Sequence, residues 1–161
     1  MQNINVIIVD DHPSVRFGLE AVLNNYDDIF VSNTAANGQK AIQMCRVKEP
    51  DVALIDMYMP GMGGLDTIRA LHSEFPNMKM LVLTHSDDSE VVVEAMDAGA
   101  IGYLIKNTEI NDIVKAIRAA VRDQRTLSPE ALEALISAKT TAQPHPDNEL
   151  TERELEVLQF V

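Results

Sequence analysis

The sequence predicts an α/β protein built on a doubly wound, five-stranded parallel sheet, followed by a C-terminal linker helix. Three observations carry that prediction. Five short apolar runs recur at nearly regular spacing, segments of helical periodicity alternate with them, and charged or hydroxyl residues follow directly on the run ends. Strands alternating with helices in series imply parallel pairing through right-handed crossovers, which covers both sheet faces and gathers the carboxyl ends of the strands into one crevice.

The runs are "NVIIV" (5–9), "IFVSNTA" (29–35), "VALID" (52–56), "MLVLT" (80–84) and "IGYLI" (101–105). All but the second are nearly continuously apolar, as expected of strands buried on both faces. Between the first two, Pro13 suits a first helical position, and Val15, Leu19, Val22 and Leu23 follow at helical spacing. Phe17 falls on the opposite side of that helix, so it is expected to face solvent and to be available as a partner contact. Gly99 stands where a left-handed glycine would end the helix containing "EVVVEAMDA". The last helix of the unit places Ile110, Ile113, Val114, Ile117 and Val121 on one stripe.

After about residue 124 the pattern changes. In "LSPEALEALIS", Ser128 is a candidate N-cap, Pro129 opens the first turn, and Leu132, Leu135 and Ile136 form a stripe. "AKTTAQPHPDNE" reads as a linker because it is polar and carries two prolines. "LTERELEVLQFV" then starts a new element, with capping-box spacing from Thr151 to Glu154 and staple positions at Leu150 and Leu155. The expected organisation is therefore 1–124 for the main domain, 125–149 for a linker with a short helix, and 150–161 for the opening of an incomplete further domain.

Composition limits the function classes. The 161 residues are 46% hydrophobic but only 4% aromatic, so the core must be built from Val, Ile, Leu, Ala and Met. A single Cys45 allows no intrachain disulfide, and with no apparent leader or spanning run a soluble, cytoplasmic protein is expected. The formal net charge of −12 disfavours a direct grip on nucleic acid by these residues and favours divalent cations and basic partners.

The chemistry concentrates at the strand ends. Asp10 and Asp11 end the first strand, Asp56 the third, Thr84 the fourth and Lys106 the fifth. Three carboxylates brought together repel one another, and a hard divalent cation is the usual compensation. Mg²⁺ takes oxygen ligands and needs only two or three carboxylates, so Asp10, Asp11 and Asp56 form a candidate site. A carboxylate beside Mg²⁺ and a lysine is also a plausible nucleophile for phosphoryl transfer. Taken singly, each residue has a plainer role: an aspartate as helix N-cap, Thr84 as a strand residue, Tyr103 as core packing, Lys106 as a surface charge.

In order and spacing, "VDDHP", "ALIDMYMPGMGGLD", "VLTHSDD" and "GYLIKN" resemble the receiver domain of bacterial response regulators over roughly residues 1–124, and "LTERELEVL" resembles the start of a LuxR-type helix-turn-helix. The resemblance is to the NarL/LuxR-type subgroup. It implies a flavodoxin-like receiver fold and a two-component switch. Asp56 would accept a phosphoryl group from a sensor histidine kinase. Asp11 and Asp56, helped by Asp10 and the backbone carbonyl of Tyr58, would bind Mg²⁺. Lys106 and Thr84 would contact the phosphoryl oxygens, and Tyr103 would change rotamer. Homodimerisation and control of promoter DNA through a DNA-binding domain mostly beyond these residues would follow. The resemblance excludes a turnover enzyme: a haloacid-dehalogenase-type hydrolase would want an aspartate where Tyr58 stands. A phosphorylation-independent dimerisation module should lack part of the acidic site, and none is missing.

This sequence departs from many receivers at two places. Asn107, and not proline, follows Lys106, leaving the geometry of that peptide open. Tyr58 and His85 are bulky, and both are expected to shield an acyl phosphate from water and slow its hydrolysis. The glycines of "PGMGG" read as a flexible turn after Asp56, and His12 as a surface or capping residue.

Overall fold

The computed structural model describes residues 3–85 and 89–141. Twelve elements follow in order: β1 (Ile4–Val9), α1 (Pro13–Leu23), β2 (Ile29–Ala35), α2 (Gly38–Val47), β3 (Val52–Ile55), α3 (Gly64–Glu74), β4 (Lys79–Thr84), α4 (Ser89–Ala98), β5 (Gly102–Ile105), α5 (Ile110–Ala120), β6 (Thr126–Leu127) and α6 (Pro129–Thr141). The strands form one sheet in the order β2-β1-β3-β4-β5-β6, with every pairing parallel. Because the chain leaves β1 for one side and returns to its other side as β3, the order reverses there, and a crevice opens at the carboxyl ends of β1 and β3.

Alternation along the strands builds two cores. Ile7, Val9, Ile55, Met80, Val82, Tyr103 and Ile105 face α2, α3, α4 and α6. Val6, Ile8, Leu54, Leu81, Leu83 and Leu104 face α1 and α5. Each central strand is apolar on both faces because both faces are covered, which is why these runs lack polar alternation.

The five expected strands are present, and a sixth, β6, is added. It has only two residues, in the polar context "QRTLSP", and exists because β5 offers it a ladder, with Tyr103 opposite Leu127. No local pattern marks so short a strand. The expected helix signals are realised: Pro13 opens α1 and Gly99 has φ +126 past the end of α4. Ser128 Oγ accepts the Ala131 N–H at 3.2 Å as α6 begins. Phe17 is 77% exposed as expected, but Val22 and Val121, assigned to buried stripes, are more than a third exposed. Val22 is the penultimate residue of α1 and Val121 the C-cap of α5. On α6 the residues that pack are Ala131, Ala134 and Leu135, whereas Leu132 and Ile136 are exposed. α6 also runs into the stretch read as linker, to Thr141. The capping box and staple at 150–155 lie outside the described residues. None of the described helices is long and apolar enough to cross a membrane.

Candidate functional site

Backbone ladders bring the site together before any side chain contributes. The Asp10 N–H donates to the Ala35 carbonyl at 3.0 Å, the Asp56 N–H to the Val9 carbonyl at 2.9 Å, and the Lys106 N–H to the Thr84 carbonyl at 2.7 Å. The ladder thus continues one residue past β1, β3 and β5 and delivers Asp10, Asp56 and Lys106 to the same edge as Thr84, the last residue of β4. One ligand atom from each of Asp10, Asp11, His12 and Asp56 lies within 4.8 Å of the others. Their place beside the N-terminus of α1 also favours negative charge, because the helix presents free N–H groups and a positive dipole end there.

The two adjacent aspartates are not equivalent. Asp10 is 3% exposed, and its carboxylate is well supplied with donors. Oδ1 accepts the His12 backbone N–H at 2.9 Å and lies 2.9 Å from His12 Nδ1, while Oδ2 lies 2.8 Å from Lys106 Nζ. Burial alone would push this carboxyl up, but the bonds from Lys106 and His12 together outweigh it and hold Asp10 below the usual carboxylate range. Asp11 differs. Its Oδ1 is buried and makes no hydrogen bond among the described residues, although His12 Nδ1 passes at 3.1 Å. A buried carboxylate oxygen without a donor is costly unless something else takes its lone pairs. The three carboxylates of this cluster are hard oxygen donors beside one imidazole nitrogen, and a hard cation such as Mg²⁺ fits the carboxylates.

Asp56 is 3% exposed. The Tyr58 N–H donates to its Oδ1 at 3.3 Å, and Lys106 Nζ stands 3.4 Å from its Oδ2. Lys106 therefore sits closer to Asp10 than to Asp56 and ties the two carboxylates through one ammonium. Thr84, 1% exposed, has a hydroxyl oxygen with no hydrogen-bond partner among the described residues. Tyr103 is fully buried beneath α6. Tyr58 is half exposed and His85 exposed at the rim. No cis peptide occurs among the described residues, so the bond after Lys106 is trans.

Two residues gain a place at the site that sequence reasoning did not give them. His12 takes the N-cap position of α1, as expected, with its backbone carbonyl accepting the Arg16 N–H, but its side chain makes no cap bond and lies 2.9 Å from Asp10 instead. Arg16 Nη1 donates to the Asp10 backbone carbonyl at 2.6 Å and fastens the β1–α1 loop to the helix. A signal existed, since a cation near the N-terminal end of a helix opposes the helix dipole and, with no acid in that first turn, implies a specific contact. The glycines after Asp56 are also more than flexible: a Cβ on Gly64 would lie 2.4 Å from the Asp56 carbonyl oxygen, so α3 starts in direct contact with the strand end. Gly61, at φ +76, supplies the left-handed turn.

Acidic residues, lysine and hydroxyl converging at the switch point of a 2-1-3-4-5 sheet define a class of phosphoacceptor switch domains. The family profile described as "Response regulator receiver domain" matches residues 6–118, and the chain belongs to that family. It is of the NarL/LuxR type, a phosphoacceptor switch and not a turnover enzyme. Over 160 residues it is 34% identical to the nitrate/nitrite response regulator protein NarL of Escherichia coli K12, spanning 97% of this chain and 74% of NarL. A two-component response regulator of the LuxR family from Aurantimonas sp. SI85-9A1 superposes with a TM-score of 0.81 at 27% identity, covering 86% of this chain and 99% of that one. RcsB, in a structure of two dimers bound to two parallel DNAs, superposes at 0.77 with 25% identity, covering 84% of this chain and 69% of RcsB.

Proposed function

We propose that Asp56 accepts a phosphoryl group from a sensor histidine kinase in the cytoplasm, and that the modified receiver dimerises and controls transcription through a LuxR-type DNA-binding domain. Residues 1–124 serve as the receiver, 125–149 as the linker and 150–161 as the opening of the helix-turn-helix. The observation that carries this reading is Lys106 Nζ held between Asp10 and Asp56, beside a buried Asp11 oxygen that makes no hydrogen bond among the described residues.

An oxygen of Asp56 attacks phosphorus, the new O–P bond replaces the P–N bond of the phosphohistidine, and the imidazole leaves with the electron pair. Asp11 and Asp56, with Asp10 and the Tyr58 carbonyl in support, would hold Mg²⁺. When bound, the ion offsets the charge of the incoming phosphoryl oxygens. Lys106, kept near Asp56 by Asp10, donates to one phosphoryl oxygen, and the Thr84 hydroxyl donates to another. Phosphate adds about 1.5–2 negative charges and new acceptors. The group therefore biases a pre-existing two-state equilibrium in which Thr84 and Tyr103 move together. The RcsB dimers on DNA support the dimer and promoter parts of this reading by similarity.

Intact mass after incubation with Mg²⁺ and acetyl phosphate tests the proposal, alongside sedimentation with beryllofluoride as phosphoryl mimic. One added phosphoryl, absent in Asp56→Asn and coupled to dimer formation, is the expected result. No modification of the wild type would refute it.

A further inference from the structure

The peptide that joins Asp10 to Asp11 is held from the helix that follows it. Arg16 is half-buried near the start of α1, and its Nη1 donates to the Asp10 backbone carbonyl at 2.6 Å. No backbone N–H reaches that carbonyl among the described residues, because the ladder ends with the Asp10 N–H on Ala35 and the chain then turns into α1. Asp10 is 3% exposed, so without Arg16 its carbonyl would be left with little access to water and no donor.

The same bond decides how Asp11 stands. A planar peptide carries the Asp10 carbonyl and the Asp11 Cα as one unit, so fixing the oxygen fixes the chain where it enters Asp11. Where the chain leaves Asp11, the His12 N–H is held by Asp10 Oδ1 at 2.9 Å. Asp11 is therefore clamped through the backbone on both sides. Its carboxylate is not held in this way: Oδ1 makes no hydrogen bond among the described residues, and the one described residue within ion-pair distance is His12, which lies as close to Asp10. The backbone thus aims Asp11 at the cluster it shares with Asp10 and Asp56, and Arg16 supplies one of the two bonds that hold that backbone.

Charge compensation does not account for Arg16. The described ion pairs of the three carboxylates go to His12 and Lys106, whereas Arg16 takes a carbonyl and stands where the helix dipole disfavours a cation. A positive charge near a divalent-ion site also repels the ion. The charge of Arg16 works against cation binding and its hydrogen bond works for it, so the two contributions have opposite signs.

We propose that Arg16 is a positioning residue for the divalent cation: by holding the Asp10 carbonyl it presents the Asp11 carboxylate to the ion, and so sets the affinity of the site without touching the ion or the phosphoryl group. The inference rests on the reading of Asp11 and Asp56 as Mg²⁺ ligands. Asp56 is held by other bonds, from its own N–H to Val9 and from Tyr58 and Lys106 to its carboxylate, so the nucleophile stays in place when Arg16 is replaced.

Arg16→Met in the whole 161-residue chain tests this. Titration with Mn²⁺ alone, the free ion read by electron paramagnetic resonance, measures the site without any reaction. The expected result is a dissociation constant raised about 10- to 100-fold, the range typical when a group that orients a metal ligand is lost. The Mg²⁺ concentration for half-maximal labelling of Asp56 by acetyl phosphate should rise by the same factor, with the rate at saturating Mg²⁺ within about twofold of wild type. Unchanged or tighter Mn²⁺ binding would overturn the proposal, since tightening is what removal of a mere nearby charge produces. So would a lower rate at saturation with an unshifted half-maximal concentration, which would put the effect on the nucleophile or the phosphodonor. Should Arg16→Met lose its fold by circular dichroism, Arg16→Gln is read by the same criteria. Asp11→Asn separates the two readings: if it binds Mn²⁺ as the wild type does, Asp11 is no ligand, and the cation reading fails together with the role of Arg16.

Discussion

Three glycines within four residues follow Asp56 closely, and substituting each by alanine separates the roles they play. A Cβ on Gly64 would stand 2.4 Å from the Asp56 carbonyl oxygen and 2.5 Å from Met57 Cα, both backbone atoms. Such atoms normally rest at about 3.5 Å, so roughly 1 Å of backbone displacement is required where β3 hands over to α3. Over-packing of this kind costs about 1–3 kcal/mol. At about 2–4 °C per kcal/mol for a chain of this size, Gly64→Ala should lower Tm by about 2–12 °C. The displaced segment carries Asp56 itself, and a misplacement of about 1 Å costs on the order of a hundredfold in rate. The labelling rate of Asp56 with acetyl phosphate should fall accordingly. Gly63→Ala is the control: its Cβ would meet nothing nearer than 3.6 Å and its φ is −74. The poorer cap and the stiffer unfolded chain oppose each other, leaving stability within about 1 kcal/mol of wild type. Gly61→Ala has open space but a φ of +76, so about 1 kcal/mol of strain and little change in labelling are expected. Thermal unfolding and intact-mass time courses on the three variants are sufficient. If Gly64→Ala matched Gly63→Ala in both, the close approach would not be what the position requires.

Two further outcomes follow from the site. Lys106→Met leaves Asp10 and Asp56 buried without their shared cation and should destabilise the fold by about 3–5 kcal/mol in the absence of Mg²⁺. The pH dependence should invert as well. In the wild type the depressed Asp10 contributes stability above its unfolded value of about 3.9, and this is lost as pH falls through the lower folded value. Without Lys106 the folded carboxyl rises, so acid should relieve the variant where it harms the wild type; unfolding from pH 3 to 7 shows which occurs. Tyr58→Ala and His85→Ala should speed loss of the Asp56 phosphoryl group, because both side chains stand exposed at the rim where water enters. Unchanged decay rates in both would remove the shielding role.

Most of the fold was legible because parallel strands covered on both faces leave unbroken apolar runs, and several helix ends carry local signals such as Pro13, Ser128 and Gly99. β2 ran from Ile29 to Ala35 as expected, Pro13 opened α1, and Gly99 took the left-handed φ its position implied. The candidate site was legible for the same reason: once five strands are parallel, residues at their carboxyl ends converge whatever their separation along the chain. Asp10, Asp56 and Lys106 do so through ladder bonds that continue one residue past β1, β3 and β5, beside Thr84 at the end of β4.

Pairing across the structure decided the remainder. β6 forms only because β5 presents free backbone groups and a glycine leaves room, conditions no window around Thr126 reveals. The different settings of Asp10 and Asp11, adjacent and chemically identical, arise because Lys106 and the His12 backbone N–H reach the carboxylate of Asp10. The face of α6 that packs is set by what α4 and β5 offer it, so small Ala131 is buried while the larger Leu132 and Ile136 stay outside. Sequence determined the elements and the chemistry at their ends, since both rest on local periodicity and residue type. Tertiary structure decided partners and burial, since both depend on groups far apart in the chain meeting at distances of a few ångströms.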